Sequence, residues 1–438
     1  MEHHGDNPQK SIIAIIPARY SSVRLPGKLL LPIDGRPLIL HTIDRVRAAR
    51  TISRVIVATD DTRILDVATA SGNEAVMTSR DHRSGTERVA EVAEKIPDAS
   101  IVVNVQGDEP LIAPETIDAA VDALLADPTA NISTTSEPIA DLAELLNGNV
   151  VKVVVGDNGH AIHFSRSPMP YPRDAALRHG GDPNRAIREE PELISIFRKH
   201  TGLYVYRRDY LLRFSKLPPT KLEQIEMLEQ LRALEDGAGI RVVDAIGSSI
   251  GVDTQEDYDR VCREIENAKV EIREATIDDV PHIAKVHVDS WQHSFRGIAP
   301  ERYLNSLSVD KRKQVFAERL SDPSYRMLVA EQPDDGIVGF IDFGVPDFNN
   351  HGYNARVFSF YLLPEYQRRG LGQRLFQSCF DRMTAEGHKS MCLDTLEMSP
   401  FRRFYEKYGG RIVAHDSHKL GDTEFATVIY GWENLNRE

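Results

Sequence analysis

Short apolar runs alternate with helical patterns between residues 12 and 270. The runs include IIAII at 12–16, RVIVAT at 54–59 and IVVNVQ at 101–106, with helical spacing of apolar residues at 38–48, 63–70 and 115–125. Alternation of this kind is typical of a mostly parallel sheet covered by the helices that join its strands. Because such sheets bind ligands at the carboxyl ends of their strands, functional residues are expected in the loops that follow the runs.

The loop after the first run is rich in cations. Arg19, Arg24 and Lys28 fall within ten positions, and Gly27 precedes the lysine. Arginine forms forked hydrogen bonds and lysine is a compact charge, so the loop suits a polyphosphate, which glycine lets the backbone approach. It is not a Walker loop, because Leu29 follows Lys28 where that motif needs Ser or Thr. A solvated loop with scattered charges is the alternative.

Two carboxylates follow other apolar runs. Asp108 lies in QGDEP after the run at 101–105, and Asp253 follows IGSSIGV at 246–252, which is predicted to be a strand. Carboxylates at the ends of two strands can converge on Mg²⁺, which takes one or two carboxylates together with phosphate oxygens. Alternatively, Asp108 is a turn residue, and Asp253 is a carboxylate favoured by the dipole of the helix that the capping box at 254–257 opens.

Several other polar residues are candidates for binding a base, a ribose or a sugar: Ser84, Thr86, Gln106, Arg166, His200, Tyr204, Glu226 and Gln230. His200 and Tyr204 share one face of a predicted strand. The segment 221–234 is predicted as one helix with an apolar stripe of Leu222, Ile225, Leu228 and Leu231. Glu226 and Gln230 then lie one turn apart on the other face, and they are solvated unless that face turns towards the pocket. Ser84 alternatively serves as a helix N-cap.

Length and composition set limits on the function. At 438 residues the chain exceeds the usual size of one core, so two domains are expected. The formal net charge of -13 argues against nucleic acid as a partner. Cys262, Cys379 and Cys392 are too widely spaced for a disulfide framework or a cysteine zinc site. The polar residues 1–9 are predicted to be disordered, and the short apolar runs predict a cytoplasmic protein without a membrane partner.

Nine motifs carry a family resemblance over residues 10–268. They are PARYSSVRLPGK at 17–28, ATD at 58–60, SGTER at 84–88, NVQGDEP at 104–110, VKVV at 151–154, FSR at 164–166, HTGLY at 200–204, IEMLEQLR at 225–232 and GVDTQED at 251–257. In order and spacing they resemble the 3-deoxy-manno-octulosonate (Kdo) cytidylyltransferases, the CMP-Kdo synthetases of lipopolysaccharide synthesis. The resemblance implies a Rossmann-like nucleotidyltransferase domain of the nucleotide-diphospho-sugar transferase type. It also implies attack of the sugar 2-hydroxyl on the α-phosphorus of CTP, which gives CMP-Kdo and pyrophosphate.

The resemblance also implies roles for individual residues. Arg19 and Lys28 would bind the triphosphate, and Asp108 and Asp253 would bind magnesium. The sugar-acid pocket would comprise Gln106, Arg166, His200, Tyr204, Glu226 and Gln230. Gly148 stands where the family tends to have proline, which predicts a looser turn without a catalytic change. A homodimer is expected.

A second pattern occupies residues 270–436. Strand-like runs at 327–330, 337–343 and 356–362 precede PEYQRRGLG at 364–372, which opens a helix. Backbone N–H groups at a glycine-rich helix start form an anion site that can hold a pyrophosphate, although glycine also occurs there for steric reasons.

PEYQRRGLG followed by FYEKYGG at 404–410 resembles the GNAT acyl-CoA N-acetyltransferases, over residues 270–435. That resemblance implies a GNAT α/β domain in which coenzyme A is bound by Leu362, Gln367, Arg368, Arg369, Gly370, Leu371 and Gly372. Tyr405 matches a general acid for the departing thiolate, the alternative being a buried helix tyrosine. Two positions depart from the family pattern near Tyr405: Met398 stands in place of asparagine, and Phe401 in place of a small residue. An acceptor pocket is expected to include Trp291, Tyr303 and Phe348.

The expected function is therefore bifunctional, with CTP, Kdo, acetyl-CoA and an unidentified amine as small-molecule substrates and Mg²⁺ as cofactor. An amino sugar acid such as 8-amino-Kdo would give both domains a shared pathway. The alternatives are CMP activation of 8-amino-Kdo or of a nonulosonate, with the GNAT domain as a regulatory module that binds acyl-CoA.

Overall fold

The computed structural model describes residues 11–22, 24–247, 249–345 and 351–435. The segment 1–9, predicted to be disordered, and Phe348 lie outside the described residues. The chain divides into two compact units, Met1–Cys262 and Arg263–Glu438. The division falls within a helix, Gln255–Ala268, shortly before the join that the sequence predicts at 268–270.

The strands of the first unit are β1 (Ser11–Ala18), β2 (Pro32–Ile33), β3 (Arg36–Pro37), β4 (Arg54–Thr59), β5 (Glu74–Met77), β6 (Ala99–Asn104), β7 (Ala130–Pro138), β8 (Lys152–Val155), β9 (Ala161–Ser165), β10 (Arg198–Arg207) and β11 (Gly239–Asp244). Its helices are α1 (Leu38–Arg47), α2 (Thr62–Ala70), α3 (Gly85–Glu94), α4 (Pro114–Ala126), α5 (Leu142–Leu146), α6 (Arg173–Arg178), α7 (Pro183–Glu189), α8 (Arg208–Phe214), α9 (Lys221–Glu226), α10 (Glu229–Glu235) and α11 (Gln255–Ala268). Stretches of 3₁₀ helix occupy Lys28–Leu30 and Pro191–Ile196.

The main sheet of the first unit runs in the order β11-β7-β10-β6-β1-β4-β5. The β-branched residues of β1 place Ile13 and Ile15 in the core, fully buried against α3 and α8. Neighbouring strands are parallel except at β10, which is antiparallel to β6 and β7 and also pairs with the β8–β9 hairpin. The predicted mostly parallel sheet is thereby confirmed. The chain runs outward from β1 to β4 and β5 and then returns to β6 on the other side of β1, so the loops after β1 and β6 border a crevice.

Two predicted elements of this unit are wrong. The described residues of 246–252 form a loop, because Gly247 has a φ of 79° that interrupts any strand. The loop is held to QGDEP by a hydrogen bond of 2.9 Å from the Val252 N–H to the Asp108 carbonyl. The helix predicted over 221–234 is broken at Met227, whose φ is 54°. Past the break the chain buries Leu228 and Leu231, whereas Ile225 is 79% exposed instead of contributing to a buried stripe.

The second unit contains the strands β12 (Glu271–Glu274), β13 (Tyr325–Gln332), β14 (Gly336–Gly344), β15 (Ala355–Leu362), β16 (Met391–Leu396), β17 (Arg411–Leu420) and β18 (Thr423–Trp432). Its helices are α12 (Val280–Ser294), α13 (Glu301–Ser306), α14 (Val309–Ser321), α15 (Leu371–Ala385) and α16 (Arg402–Lys407), with 3₁₀ turns at Ile277–Asp279 and Pro364–Tyr366.

These strands form one sheet in the order β12-β13-β14-β15-β16-β18-β17. Neighbours are antiparallel except β15 and β16, which α15 connects as a parallel pair. That pair is bonded from Ala355–Met391 to Val357–Leu393, and beyond it the two strands separate. The separation opens a cleft in the middle of the sheet. No helix in the described part of the chain is long and apolar enough to cross a membrane.

Candidate functional site

The crevice of the first unit is centred on Lys28. Gly27, with a φ of 68°, turns the loop after β1 into the 3₁₀ helix that carries the lysine inwards. The Lys28 ammonium donates to the Asp108 carboxylate and, at 2.9 Å, to Asp253 Oδ1. Arg24 Nη2 donates to the other oxygen of Asp253 at 2.7 Å. The cationic loop and both predicted metal ligands therefore meet at one point.

Electrostatics keep this lysine charged. Burial acts to lower the pKa of Lys28, but the carboxylates of Asp108 and Asp253 outweigh it and raise the pKa above its ordinary value. Lys28 therefore stays a cation between the two carboxylates at neutral pH.

The two carboxylates fit a magnesium site in which the protein supplies few of the ligands. Their oxygens are hard ligands, and they already converge on one positive group. No cluster of three or more His, Cys, Asp or Glu side chains suited to a metal occurs among the described residues. Substrate phosphates and water would have to supply the remaining ligands, as is usual for Mg²⁺.

Arg19 lies at the edge of the same crevice. Its Nη2 donates to the His82 carbonyl at 2.5 Å, and its Nε is buried without a partner among the described residues. Buried polar groups in proteins are normally paired, so this N–H is a donor available to a ligand oxygen.

The SGTER segment packs beside this loop. Ser84 is the N-cap of α3, and its Oγ accepts a hydrogen bond of 3.3 Å from the Glu87 N–H. The structure thus shows the N-cap role that the sequence offers as the alternative to ligand binding. A Cβ on Gly85 would lie 3.3 Å from Pro17 Cγ and 3.8 Å from Gln106 Oε1. Glycine therefore lets α3 begin close to both strand ends. Thr86 is buried and donates to Glu229 Oε2 at 2.7 Å.

Arg88 is a residue of this region that the sequence did not single out. It is fully buried, bonds Asp60 Oδ2 at 2.7 Å and also donates to Thr78. This ion pair joins ATD to SGTER and fixes α3 against the end of β4. The signal was present, because both motifs carry charged residues, but sequence does not show which charges pair.

Arg166 and Glu226 are brought together at the end of β9. Arg166 donates through Nε to the Glu226 carbonyl at 2.7 Å and through its own N–H to Glu226 Oε2 at 3.0 Å. Ser165 Oγ donates to Glu226 Oε1 at 2.6 Å, and this bond and the Arg166 contacts hold the pKa of Glu226 below its usual value. Arg166 Nη1 also reaches the Gly148 carbonyl at 2.9 Å.

His200 and Tyr204 lie side by side on β10, with ring centroids 5.2 Å apart. His200 Nε2 shares a hydrogen bond of 2.8 Å with Thr134 Oγ1, and burial lowers the pKa of His200 to about 3. Burial raises the pKa of Tyr204, so both side chains are neutral. Gln230 is buried in α10 and is separated from Glu226 by the break at Met227, so the two do not share a continuous helix face.

The cleft of the second unit contains a cavity of about 450 Å³ between β15 and β16. Several residues predicted from the sequence line it: Leu362, Gln367, Arg368, Gly370, Gly372, Phe401 and Tyr405. Gly370, with a φ of 87°, is the N-cap of the fifteen-residue helix α15, so the free N–H groups of the first turn are at the cavity. A Cβ on Gly372 would lie 3.3 Å from Leu362 Cδ1 and would narrow the cavity.

The two arginines of the loop differ in position. Arg368 lines the cavity and is exposed, with a φ of 57°. Arg369 instead pairs with Glu266 Oε2 at 3.0 Å and lies over the Tyr366 ring. Leu371 is fully buried in the core, so it can contribute its backbone to a ligand but not its side chain.

Tyr405 is buried at the cavity. Burial raises the pKa of its hydroxyl, and the neighbouring Tyr361 and Asp394 raise it further, so the phenol stays protonated and can donate. Met398 is 66% exposed. Tyr361 and Asp394 line the same cavity and were missed, because the sequence does not show where β15 and β16 separate.

Comparison with known proteins places the first unit in a family. Residues 13–242 match the family model described as cytidylyltransferase. The 3-deoxy-manno-octulosonate cytidylyltransferase of Geobacter sulfurreducens is 49% identical over 255 residues, which cover 58% of this chain and 99% of that protein. The chain belongs to the Kdo cytidylyltransferase family. The enzyme of the same name from Syntrophotalea carbinolica is 49% identical over 251 residues, covering 57% of this chain and 97% of that protein.

A solved structure of CMP:2-keto-3-deoxy-manno-octonic acid synthetase complexed with CTP is 39% identical to this cytidylyltransferase, with a TM-score of 0.52. The match covers 58% of this chain and 98% of the chain in the solved structure. The predicted Rossmann-like nucleotidyltransferase fold is confirmed.

The rest of the chain adds a second domain to this cytidylyltransferase. Residues 288–410 match the model of the acetyltransferase (GNAT) family. The predicted GNAT domain is confirmed, and this family member therefore carries two enzyme domains in one chain.

Proposed function

We propose that the first unit transfers CMP from CTP to the 2-hydroxyl of Kdo and releases pyrophosphate, which supplies CMP-Kdo for lipopolysaccharide synthesis. The observation that carries this proposal is the Lys28 ammonium held between Asp108 and Asp253, with Arg24 on the outer carboxylate. Charged groups of both signs at a topological switch point suit a nucleoside triphosphate and its metal.

Phosphoryl transfer needs positioning and charge neutralisation rather than a covalent nucleophile. Arg19, Arg24 and Lys28 bind the triphosphate. The Nε of Arg19, for which the described residues provide no partner, gives one further donor to it. Asp108 and Asp253 would hold Mg²⁺, which neutralises charge on the phosphate oxygens when bound. Lys28 balances the two carboxylates and keeps them close together.

The sugar acid is proposed to lie between β6, β9 and β10. Arg166 is proposed to bind the sugar carboxylate through the guanidinium N–H groups that its contacts with the Glu226 and Gly148 carbonyls, the bonds that the described residues give it, do not engage. Neutral His200 and Tyr204 would contact the apolar faces and hydroxyls of the sugar, together with Gln106, Glu226 and Gln230. Ser84 and Thr86 are proposed to lie against the nucleoside.

The test is pyrophosphate release by the full chain with CTP, Mg²⁺ and one acid at a time: Kdo, 8-amino-Kdo or a nonulosonate. Release with Kdo should fall at least about 100-fold in Asp108→Asn. Asp66→Asn, an exposed carboxylate of α2, is the matched control and should leave the rate unchanged. Release with a nonulosonate but not with Kdo would overturn the substrate, and release with none would overturn the reaction.

We further propose that the second unit transfers the acetyl group of acetyl-CoA to an amine. The start of α15 and Arg368 would bind the pyrophosphate, and the absence of a Cβ at Gly372 leaves room for the coenzyme next to Leu362. Tyr405 would donate its proton to the thiolate that leaves the thioester.

Binding of acetyl-CoA to the full chain, measured by calorimetry, tests this second proposal. Gly372→Val should weaken binding at least about 10-fold, because its side chain meets Leu362. Ala385→Val at the exposed end of α15 is the matched control. Equal binding by both variants would place the coenzyme elsewhere.

A further inference from the structure

The cavity between β15 and β16 has two chemically different ends. One end is formed by the pyrophosphate loop and α16, and it contains both cations that line the cavity in the described part of the chain, Arg368 and Lys407. The other end is formed by Ser294, the last residue of α12, and by Phe295, which follows it, together with strand residues. Ser290 lies between the two ends, because its hydroxyl and the Gln367 amide both donate to the Leu362 carbonyl. Coenzyme phosphates belong at the first end, which leaves the α12 end for the acetyl acceptor.

Phe295 and Tyr361 form an aromatic wall of the cavity at the α12 end. Phe295 is buried and packs in one cluster with Leu396 at the end of β16. Trp291 and Tyr303, which the sequence predicts in the acceptor pocket, do not line the cavity but pack behind this wall. The Trp291 ring lies 4.5 Å from the Phe295 ring and 5.9 Å from the Tyr303 ring, centroid to centroid. Trp291 Nε1 donates to the Tyr361 hydroxyl at 2.7 Å, which fixes both rings. This wall matches an apolar or aromatic body in its ligand.

A carboxylate lies next to this wall. Asp394 is the first residue of β16 beyond the last bonded pair, Val357–Leu393, so it lies where the strands separate and it lines the cavity. It shares a strand face with Leu396, on which Phe295 packs. Asp394 Oδ1 accepts a hydrogen bond of 2.5 Å from Arg356 Nη2, and Arg356 is the side-chain partner of Asp394 among the described residues. Among the described residues that line the cavity, Asp394 alone carries a carboxylate.

We infer that the α12 end binds an apolar monoamine without a carboxylate of its own, such as an arylalkylamine, with its ammonium on Asp394 and its body against Phe295 and Tyr361. This inference rests on the proposed acetyl transfer and names the acceptor class for it. A carboxylate beside aromatic faces favours a cation that carries an apolar group.

The chemistry of the step balances with these groups. The acceptor ammonium gives one proton to Asp394, and the free amine nitrogen bonds to the carbonyl carbon of the thioester. The carbon–sulfur bond then breaks, and the thiolate takes the Tyr405 proton. The second proton lost by the new amide nitrogen restores Tyr405, and the proton on Asp394 passes to solvent.

An amino sugar acid fits this end poorly. Its carboxylate would meet Asp394, whose neighbour Arg356 is already bonded to Asp394, while Arg368 and Lys407 lie at the other end. The hydroxyl of Ser290 donates to the Leu362 carbonyl at 2.9 Å, so it can accept a hydrogen bond from a sugar but has no proton left to donate. The 8-amino-Kdo acceptor expected from the sequence is therefore disfavoured.

The experiment uses two amines that differ by a carboxylate, phenylethylamine and phenylalanine, with 8-amino-Kdo as a third. The full chain is given acetyl-CoA, thiol release is followed, and the product is identified by mass spectrometry. We expect kcat/KM for phenylethylamine to exceed that for the other two at least about 10-fold. Asp394→Asn should raise the KM for phenylethylamine about 10-fold or more, without changing the Kd for acetyl-CoA. Asp416→Asn, an exposed residue of β17, is the matched control.

Preference for phenylalanine or 8-amino-Kdo, or an unchanged KM in Asp394→Asn, would overturn this acceptor class while acetyl transfer itself stands. Binding of acetyl-CoA without acetylation of any of the three amines would overturn both. If Asp394→Asn does not fold, which loss of acetyl-CoA binding would reveal, the preference of the unaltered chain among the three amines still decides.

Discussion

Lys28 supplies the charge that lets Asp108 and Asp253 lie side by side. Its side chain is 11% exposed, whereas those of Asp108 and Asp253 are 22% and 46% exposed. The carboxylates can therefore be screened by water if the lysine is removed, and the fold does not depend on the lysine as it would in a closed core. The role of Lys28 is accordingly to set the charge and spacing of the site.

Lys28→Gln should lower the kcat of cytidylyl transfer about 100-fold or more, because a neutral amide does not neutralise a triphosphate. Its Tm should change by no more than a few degrees. Lys95→Gln, which removes the exposed lysine paired with Glu91, should change neither quantity. A Lys28→Gln enzyme with more than a third of the original kcat would contradict the proposed role.

His287 in α12 provides a pH-dependent contribution to the stability of the second unit. It is 5% exposed, its Nδ1 has no partner among the described residues, and burial, aided by Arg312 and Arg319, lowers its pKa to about 3. The unfolded chain binds a proton at this residue below about pH 6.5, which the folded chain does not bind until about pH 3. Stability is therefore lost as the pH falls through that window, by about 2 kcal/mol at pH 5.

His287→Phe should remove this loss. Between pH 7 and pH 5 the Tm of the second unit should fall about 5 °C less than in the unaltered chain. Both tryptophans of the chain, Trp291 and Trp432, lie in this unit, so tryptophan fluorescence follows its unfolding. His282→Phe, at an exposed position of α12, should keep the original pH dependence. Equal slopes for all three proteins would show that folding does not lower the pKa of His287.

At the scale of elements, regular patterns were predictable and their interruptions were not. The Ile-rich run of β1 and the helix spacing of α1 and α4 depend on local composition, and both appear as expected. The helix over 221–234 fails at Met227, where burial of Leu228 and Leu231 outweighs local helix propensity. Asp253 was placed at a strand end but lies in a loop, and it reaches Lys28 through tertiary contacts that no local pattern records.

The break at Met227 also has a measurable cost. A side chain at a φ of 54° is strained, and this one is 75% exposed, so it loses little contact when removed. Met227→Gly should stabilise the first unit by up to about 1 kcal/mol, whereas Ile225→Gly, at an exposed position within α9, should destabilise it by about 1 kcal/mol. Calorimetry measures both, since the transition of the first unit is the one that tryptophan fluorescence does not follow. Destabilisation by both variants would show that Met227 makes contacts that outweigh its strain.

At the scale of the whole molecule, each candidate site is complete within its own unit. The cytidylyltransferase residues run from Arg19 to Asp253, before the division at Cys262, and the residues of the acetyltransferase cavity run from Ser290 to Tyr408, after it. Each unit has its own sheet, and the two crevices arise from different features, a topological switch and a separated strand pair. The two reactions therefore do not share a reacting group.

Single variants of the full chain should consequently remove one activity at a time. Tyr405→Phe should lower the kcat of acetyl transfer about 100-fold, because the departing thiolate loses its acid, and it should leave the Kd for acetyl-CoA and the release of pyrophosphate unchanged. Asp108→Asn should have the reverse effect. Unchanged acetyl transfer in Tyr405→Phe would make this tyrosine a packing residue.

If the domain instead only binds acyl-CoA to regulate cytidylyl transfer, the unaltered chain acetylates no amine, and acetyl-CoA changes its rate of pyrophosphate release. Independent reactions predict amine acetylation and a pyrophosphate rate that acetyl-CoA does not alter, so one pair of assays on three proteins separates the two arrangements.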